Sequence, residues 1–419
     1  MPFFTAVHIL LLKFSSHLGI LLGKIIIWSK KERIVDTKKL QTIYLNRSDR
    51  LGDAIISKPF LKLLAEYIRS SEIKARIVII SSKYNHFILA DLADPTQNIF
   101  VEQEDKTIVE YESKVLNMLM KHIRFLWISI AFRIHHAGKR DESMLFVDFA
   151  GGGDLLTILK YKDLYNPIVA GPNIFWGSHV LDIAIDHSYV HYAHQNLIES
   201  YIEIIEKIFR FGGGFRNFVY DHIGEFYDYH SENLTEDICL FVGVKEFRNL
   251  TPKTWECIIR SVAASFPDQT ITVLDDPSNI LYETLKDISF PANVRVEKNT
   301  YKISEFVEKA KQFRFVVGID GGGINMVRPF TNTLTIYTFA HHDVWSCFTG
   351  RLPYSETTGA NDWQTGSATF PTGQTVAYTY KRSFWLPTFN ITGNRALFDD
   401  FDEEGLLKII RSSFKKTSS

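Results

Sequence analysis

Residues 42–53 read TIYLNRSDRLGD, and residues 315–323 read FVVGIDGGG. In each segment a short apolar run, typical of a buried strand, ends in a loop that contains glycine and aspartate. A helical pattern follows both loops, so each segment has the strand–loop–helix order of a βαβ unit. The two segments therefore predict two α/β domains, each with a parallel sheet.

The rest of the chain continues this alternation of strands and helices. Apolar runs predict strands at 42–45, 75–80, 145–149, 238–242, 271–274, 315–319 and 334–337. Helical periodicity predicts helices at 54–68, 113–133, 197–209, 254–266, 304–312 and 406–414. Residues 350–395 are rich in Thr, Gly, Ser and Pro with weak periodicity, so irregular loops are expected there.

A stretch rich in glycine and aromatic residues, Phe211 to Asn233, is the best candidate for a domain boundary. It separates an expected first domain, 36–225, from an expected second domain, 226–400. An N-terminal segment, 1–35, and a C-terminal helix and tail, 401–419, flank the two domains. A chain of 419 residues has room for this organisation, because domains typically contain roughly 100–200 residues.

Charge and cysteine usage exclude several classes of protein. The chain has 47 basic and 48 acidic residues, so it lacks the positive charge of a dedicated nucleic-acid binder. Its three cysteines, Cys239, Cys257 and Cys347, are too scattered for a disulfide scaffold or a metal knuckle. We therefore expect a reducing compartment and no nucleic acid among the partners.

Residues 3–28 are largely apolar but also contain charged or titratable side chains, namely His8, Lys13, His17 and Lys24. A spanning helix needs about 20 predominantly apolar residues, and charges near its centre are costly. Three interpretations stay open: an amphipathic helix on the membrane surface, a helix packed on the protein, and a true anchor. The pattern of a secretory signal is not evident.

The first glycine loop places Asp53 at the start of the expected helix, directly after Gly52. One interpretation is structural, because a carboxylate there is stabilised by the helix dipole. The other is a general base that faces a ligand at the carboxyl end of the strand. Arg47 and Arg50 flank the loop and suit an anionic acceptor, although exposed arginines are commonly just solvated.

The second glycine loop contains Asp320, Gly321, Gly322 and Gly323. Consecutive glycines allow a sharp turn and a close backbone approach, and amides at the next helix start suit a pyrophosphate. The loop has neither the Gly-Lys-Ser/Thr of a Walker sequence nor a GxGxxG fingerprint. The structural alternative is a tight turn in which Asp320 is a cap.

A third loop, after the expected strand at 238–242, contains Gly243, Lys245 and Arg248. It lies on the sheet edge expected for Asp320, where cations could neutralise a departing diphosphate. A merely solvated loop is the alternative. No metal site is expected, since no cluster of ligands has metal-binding spacing.

The order of these pieces resembles glycosyltransferase family 9, the heptosyltransferases of lipopolysaccharide synthesis. In the first half, Leu51-Gly52-Asp53 followed by Pro59 matches the family's Gly-Asp loop and proline-bearing helix, and Val147–Gly151 is similar to its middle strand. In the second half, the family's glycine, basic residue, proline and tryptophan are matched by Gly243, Arg248, Pro252 and Trp255. The resemblance covers roughly residues 41 to 345.

The late family signature, Asp-Thr-Gly with a histidine three positions on, is altered in this chain. Asp320 and Gly322 are in place, but Gly321 replaces the threonine and Asn325 replaces the histidine. A hydroxyl donor to phosphate is lost, which a glycine amide could partly replace. Arg248 takes the place of the usual lysine and can bind phosphate bidentately. We therefore expect altered donor recognition.

The resemblance implies a GT-B-like fold, in which two Rossmann-like domains with parallel sheets face each other across a cleft, the acceptor side first. It also implies an inverting, metal-independent glycosyltransferase that moves a heptose or related sugar from a nucleotide-sugar to a lipopolysaccharide or other surface glycan. The nucleotide-sugar, for example an ADP-sugar, is a substrate, and no cofactor is expected. The expected location is the cytoplasm, with peripheral contact at the inner face of a bacterial inner membrane.

Two alternatives to this function stay open. The same fold could act on another acceptor, such as capsule, O-antigen or protein. The chain could also be a degenerate, non-catalytic module that binds a nucleotide or a glycan, which the changes at Gly321 and Asn325 would favour.

Overall fold

A computed structural model shows an α/β protein that divides into two compact units, Met1–Asp221 and His222–Ser419. The division lies within the stretch from Phe211 to Asn233. The residues that the structure describes are 35–48, 51–71, 73–104, 141–149, 155–172, 181–185, 197–211, 213–226, 236–243, 250–319, 321–337, 363–369, 375–381, 404, 407–408 and 410–411.

The first unit contains a six-stranded sheet. Its strands are β1 (Thr42–Arg47), β2 (Arg76–Ser82), β3 (Ile99–Glu104), β4 (Asp141–Asp148), β5 (Pro167–Pro172) and β6 (Ile183–Ile185). They lie in the order β3-β2-β1-β4-β5-β6, and all five pairings are parallel. This strand order defines a Rossmann-like domain, as the sequence predicts.

The α-helices of the first unit are α1 (Leu51–Ser70), α2 (His86–Leu89), α3 (Leu155–Tyr165), α4 (Leu197–Phe209) and α5 (Gly214–His222). Helix α1 is longer than predicted at both ends. Its buried residues Ile56, Phe60, Leu63 and Leu64 recur at helical spacing and form the face that packs into the core. Pro59 lies inside this helix without ending it.

The second unit contains a seven-stranded sheet. Its strands are β7 (Glu236–Phe241), β8 (Ile271–Leu274), β9 (Val294–Glu297), β10 (Phe313–Ile319), β11 (Asn332–Tyr337), β12 (Trp363–Thr369) and β13 (Thr375–Lys381). Their order is β12-β13-β11-β10-β7-β8-β9. From β9 to β11 this repeats the strand order of the first unit, so the second unit is also Rossmann-like.

The prediction of irregular loops over 350–395 is wrong for two segments. Strand β13 extends the sheet in parallel beside β11, and β12 pairs with β13 in the antiparallel sense. Strands are held by backbone hydrogen bonds, so a segment rich in threonine and tyrosine can join a sheet without a strong apolar pattern. The same reason explains why β3, β6 and β9, which are short or polar, were not predicted. Strand β5 is apolar but has a proline at each end, a pattern that is unusual for a strand.

The α-helices of the second unit are α6 (Pro252–Ser265), α7 (Ile280–Leu285), α8 (Ile303–Ala310) and α9 (Gly322–Val327). Helix α6 begins where Thr251 accepts a hydrogen bond from the Thr254 amide at 3.1 Å, followed by Pro252 in its first turn. Trp255 is fully buried. It belongs to a core that also includes Ile410, near the C-terminal end of the sequence.

Several predicted elements lie outside the described residues. They are the N-terminal segment at 3–28, the helix at 113–133 and most of the helix at 406–414. Among the helices that are described, none combines the length and the apolar character needed to cross a bilayer. The cleft between the two domains stays a prediction.

Candidate functional site

The chain order of the first sheet reverses between β1 and β4, which lie side by side in parallel. In open α/β sheets, ligands bind outside the carboxyl ends of the strands at such a switch point. The loop after β1 leads directly into α1, whose first turn contains Asp53. Topology therefore places the predicted base at the edge where a ligand is expected, with 26% of its side chain exposed.

Arg47 lies at the end of β1, and the structure buries it to 2% exposure. Its Nη1 donates to the Phe149 carbonyl and to the Tyr201 hydroxyl. Its Nη2 lies 3.7 Å from the Asp53 carboxylate. The sequence favoured an arginine displayed to an acceptor or to solvent. The structure instead places a buried guanidinium behind Asp53, where attraction between opposite charges orients the carboxylate.

A buried polar network joins the ends of β1 and β4. The Asn46 side-chain Nδ2 donates to Asp148 Oδ1 at 2.9 Å, and the Asn46 side-chain Oδ1 accepts from the Ser48 hydroxyl at 2.6 Å. Asn46, Ser48 and Asp148 are each at most 1% exposed. Buried polar groups with satisfied hydrogen bonds rigidify the structure around them, so this network fixes the start of the Asp53 loop.

The loop after β2 is tied to the same place. Asn85 is fully buried, and its amide donates to the Arg47 carbonyl at 2.8 Å. Its side-chain Oδ1 accepts from the Ser82 backbone amide at 2.8 Å. The carboxyl ends of β1, β2 and β4 thus share one set of hydrogen bonds around Arg47.

In the second unit, the corresponding switch point lies between β7 and β10, which are parallel neighbours. Gly243 follows β7, and the glycines 321–323 follow β10, so topology brings two predicted donor loops to one edge. A Cβ atom on Gly243 would lie 2.0 Å from the Asp276 backbone nitrogen. Gly243 is therefore required for the close approach of the loop after β8.

Two of the three glycines after β10 differ in what the backbone requires of them. Gly321, the residue before α9, has φ of 177°, an extended conformation that any residue adopts. Gly323 lies in α9, where a Cβ atom would come within 2.2 Å of the Phe241 ring. A sharp turn that only glycine allows is thus not found at Gly321, and the need for glycine at 323 is a matter of space.

Asn325 is 5% exposed in the second turn of α9. Its side-chain oxygen is buried and has no hydrogen-bond partner among the residues that the structure describes. A buried acceptor without a donor costs about 1–3 kcal/mol and is rare in folded proteins. The position that the resemblance assigns to a donor-contacting histidine therefore holds an unsatisfied amide oxygen.

A second buried network supports the loops after β8 and β9. Asp275 accepts hydrogen bonds from the Leu281 and Tyr282 amides at 2.7 and 2.9 Å. Asn299 donates to the Asp275 carbonyl at 2.6 Å, and Asn279 donates to the Asn299 carbonyl at 2.9 Å. Burial raises the pKa of the Asp275 carboxyl, although these amide hydrogen bonds oppose the shift. The network holds Asp276 against Gly243.

The structure covers only part of the predicted site. Gly52 lies in the first turn of α1, before Asp53. Arg50, Lys245, Arg248 and Asp320 lie outside the described residues, and their roles stay predictions. In the described ranges, no three His, Cys, Asp or Glu side chains come together as a metal site.

The sequence analysis missed Asn46, Asn85 and Tyr201 as contributors to the site. Asn46 could have been noticed as a polar residue directly after the apolar run of β1, at the end that faces a ligand. Asn85 and Tyr201 have no comparable signal, because only the fold brings them to Arg47.

No family model and no curated protein matches the sequence. Among solved structures, E. coli ADP-heptose LPS heptosyltransferase II matches with 9% identity, 91% coverage of this chain, 100% of that chain and a TM-score of 0.49. A glycosyl transferase family 9 protein from Veillonella parvula DSM 2008 matches with 13% identity, 71% coverage of this chain, 80% of that chain and a TM-score of 0.44. A Listeria monocytogenes protein named as a UDP-N-acetylglucosamine 2-epimerase matches with 12% identity, 71% coverage of this chain, 79% of that chain and a TM-score of 0.36. At these sequence identities and TM-scores, similarity to the three structures does not indicate which reaction this protein catalyses. The fold assignment depends on the strand orders of the two sheets.

Proposed function

We propose that the protein is a glycosyltransferase in which Asp53 is the general base. The observation that carries this proposal is the partly exposed Asp53 carboxylate at the β1–β4 switch point, 3.7 Å from a buried guanidinium. A general base needs an accessible carboxylate that is held in one orientation. Arg47 supplies the orientation, because the Phe149 carbonyl and the Tyr201 hydroxyl fix its own position.

In the proposed reaction, Asp53 accepts a proton from an acceptor hydroxyl. The hydroxyl oxygen forms a bond to the anomeric carbon of the donor sugar as the bond to the nucleoside diphosphate breaks. The diphosphate departs from the opposite face with the bonding electron pair, so the anomeric configuration inverts. Groups that bind the developing negative charge lower the barrier of such a step.

On the donor side, we propose that the loops at the β7–β10 switch point bind the nucleotide-sugar. Backbone amides at Gly321 to Gly323 would bind the diphosphate, helped by Lys245 and Arg248. Asp320 and Asn325 would contact the sugar or support the loop beside Gly243. These charges and amides would stabilise the leaving group without an obligatory metal and without a cofactor.

The substrate is proposed as an ADP-sugar, with heptose or a related sugar as the transferred group. The name of the E. coli heptosyltransferase II gives ADP-heptose for that enzyme. A lipopolysaccharide or other surface glycan is the proposed acceptor, with capsule, O-antigen or protein as alternatives. The proposed location is the cytoplasm, in peripheral contact with the inner membrane.

The first experiment is a thermal-shift panel with ADP, GDP, UDP, CDP and their sugar nucleotides, without added metal. A ligand at 100 times its Kd adds about 2.7 kcal/mol of stability, which is a readily measured shift. One nucleotide should shift the wild-type protein and lose its effect in Arg248→Ala. If no nucleotide in the panel shifts the melting temperature, the donor site as proposed is wrong.

The second experiment measures transfer from that donor by Asp53→Asn, with Asp268→Asn as the matched control. Asp268 is an exposed carboxylate in the turn after α6, so its amide should leave the rate unchanged. Removal of a general base typically lowers the rate by about 10²–10⁴-fold. A normal turnover number in Asp53→Asn, with the donor still bound, would exclude Asp53 as the base.

The second candidate is a degenerate binding module. The changes at Gly321 and Asn325 favour it, because the threonine hydroxyl and the histidine that the family resemblance implies for the donor site are replaced there. It predicts that a nucleotide shifts the melting temperature while no acceptor preparation supports transfer. Release of free nucleoside diphosphate above the Asp53→Asn background would exclude this candidate.

A further inference from the structure

Two aromatic side chains are exposed just after β2. Tyr84 is 54% exposed and Phe87 is 52% exposed. Lys83 is also exposed, and its Nζ lies 5.1 Å from the centre of the Tyr84 ring. Large aromatic side chains are mostly buried in folded proteins, so two in one short segment need an explanation.

The residues between the two aromatics anchor the segment to the core. Asn85 is fully buried and hydrogen-bonded to the Arg47 carbonyl and the Ser82 amide. The His86 ring is 2.8 Å from the hydroxyl of Ser81, which is itself buried. Tyr84 and Phe87 are therefore displayed on a fixed backbone, so a ligand that contacts them does not need to order the loop first.

The same contacts place the segment beside the proposed base. Asn85 bonds to the backbone of Arg47, and the Arg47 side chain faces Asp53. Further along, Lys58 in α1 pairs with Asp91 at 2.6 Å, so the segment after β2 also packs along the helix that carries Asp53. The exposed aromatics thus belong to the same sheet edge as the base.

We propose that Tyr84 and Phe87 form the platform on which the acceptor sugar ring lies before transfer. This inference rests on the proposed function and names the acceptor contacts, which the sequence analysis did not assign to these residues. One face of a pyranose ring consists of C–H groups, and burying it against an aromatic ring removes apolar surface from water. The hydroxyls on the ring edge stay uncovered, as transfer to one of them requires.

A rigid aromatic platform loses little conformational entropy when a ligand binds, which suits weak, ring-specific recognition. Lys83 adds one positive charge next to Tyr84, so an acidic substituent on the sugar would be tolerated there. The platform is therefore expected to select for the shape of a sugar ring more than for its charge.

The test measures acceptor binding without any transfer. Saturation-transfer NMR would use methyl α-mannopyranoside, methyl β-glucopyranoside, methyl β-galactopyranoside and a methyl heptopyranoside as probes. We expect the wild-type protein to saturate the C–H face of at least one probe. The variant Tyr84→Leu/Phe87→Leu keeps apolar side chains but removes both rings, and its affinity should fall about tenfold, which corresponds to about 1.4 kcal/mol.

The controls separate this proposal from the proposed reaction. Leu164→Ala changes an exposed apolar residue in the last turn of α3, 57% exposed, and should bind the probes normally. Asp268→Asn, which changes an exposed carboxylate of the second unit, should also bind them. Tyr84→Phe/Phe87→Tyr keeps both rings and should retain binding.

Three results would overturn the platform. The wild-type protein could fail to bind every probe, or the leucine double variant could bind them as well as the wild type. Alternatively, the double variant could lose sedimentation with vesicles of phosphatidylcholine and phosphatidylglycerol while glycoside binding stays unchanged, which would assign the rings to a membrane surface. In each case the donor thermal-shift result still stands by itself as the test of glycosyl transfer.

Discussion

Replacement of Gly323 by alanine separates packing from ligand binding at the second glycine loop. The new Cβ atom would lie 2.2 Å from Cε1 and 2.6 Å from Cζ of Phe241. Ordinary contacts between such atoms begin at 3.4 Å, so the ring or the helix must move by more than 1 Å. Phe241 is 4% exposed and packs on Phe306 with ring centres 4.9 Å apart, which leaves little room for that movement.

The expected magnitude follows from two opposing effects. Overpacking of a well-packed core costs about 1–3 kcal/mol, and the short distance favours the upper end of that range. Alanine in a helix gains about 1 kcal/mol over glycine, which offsets part of the loss. We therefore expect Gly323→Ala to lower the free energy of unfolding by about 2 kcal/mol, measured by urea denaturation followed by tryptophan fluorescence.

The matched variant is Gly321→Ala, whose extended φ of 177° an alanine can adopt. It should fold with nearly wild-type stability but weaken binding of the nucleoside diphosphate, if the Gly321 amide contacts phosphate as proposed. A Gly323→Ala protein as stable as the wild type would refute the packing argument. If Gly323→Ala lowers stability but leaves nucleotide binding intact, Gly323 is needed only because a side chain there would collide with Phe241.

Three further predictions test other parts of the structure. Thr251→Ala removes the hydroxyl that accepts a hydrogen bond from the Thr254 amide at the start of α6. Urea denaturation should show that the free energy of unfolding falls by about 1 kcal/mol. An unchanged urea midpoint would show that this hydrogen bond does not stabilise the helix. Burial raises the pKa of Tyr161 above its ordinary value of 10.0, so the folded state holds this proton more tightly than the unfolded chain. The contribution of the protonated Tyr161 to the free energy of unfolding is complete below about pH 10 and falls as the pH rises further. In thermal melts over a pH series, Tyr161→Phe should therefore show a smaller fall in melting temperature at alkaline pH than the wild type. Arg47→Met should lower the transfer rate more than donor binding, because it leaves Asp53 unoriented, and equal losses in both would point to general unfolding.

The sequence predicted the central strands of both sheets and failed mainly at their edges. Strands β1, β7 and β10 have apolar runs because they are buried on both faces of a parallel sheet. By contrast, β12 and β13 lie at one edge, where backbone pairing suffices and composition gives little signal. The order of strands could be anticipated only as a general α/β pattern, since pairing partners far apart in the chain leave no local mark.

In the candidate site, too, residues with a local sequence signal were predicted, and contacts that only the fold creates were not. Asp53 was recognisable because a carboxylate directly after Gly52, at the start of a helix, has a local signature. The burial of Arg47 was not, because its partners Phe149 and Tyr201 come from β4 and α4 and meet it only in the folded sheet. Gly323 was predicted to allow a sharp turn and a close backbone approach to a pyrophosphate, whereas in the structure the ring of Phe241 leaves no space for a side chain there.

The strand order of the first unit also determines when the site can form during synthesis. The hydrogen-bonded residues Asn46 and Asp148 are 102 residues apart in the chain. At about 5–20 residues per second, a ribosome needs roughly 5–20 s to make the second partner after the first. Throughout that interval one long edge of β1 has no neighbour, and an unpaired strand edge is prone to pairing with other chains. The first domain can therefore complete its central sheet, and with it the loop that carries Asp53, only after β4 has emerged.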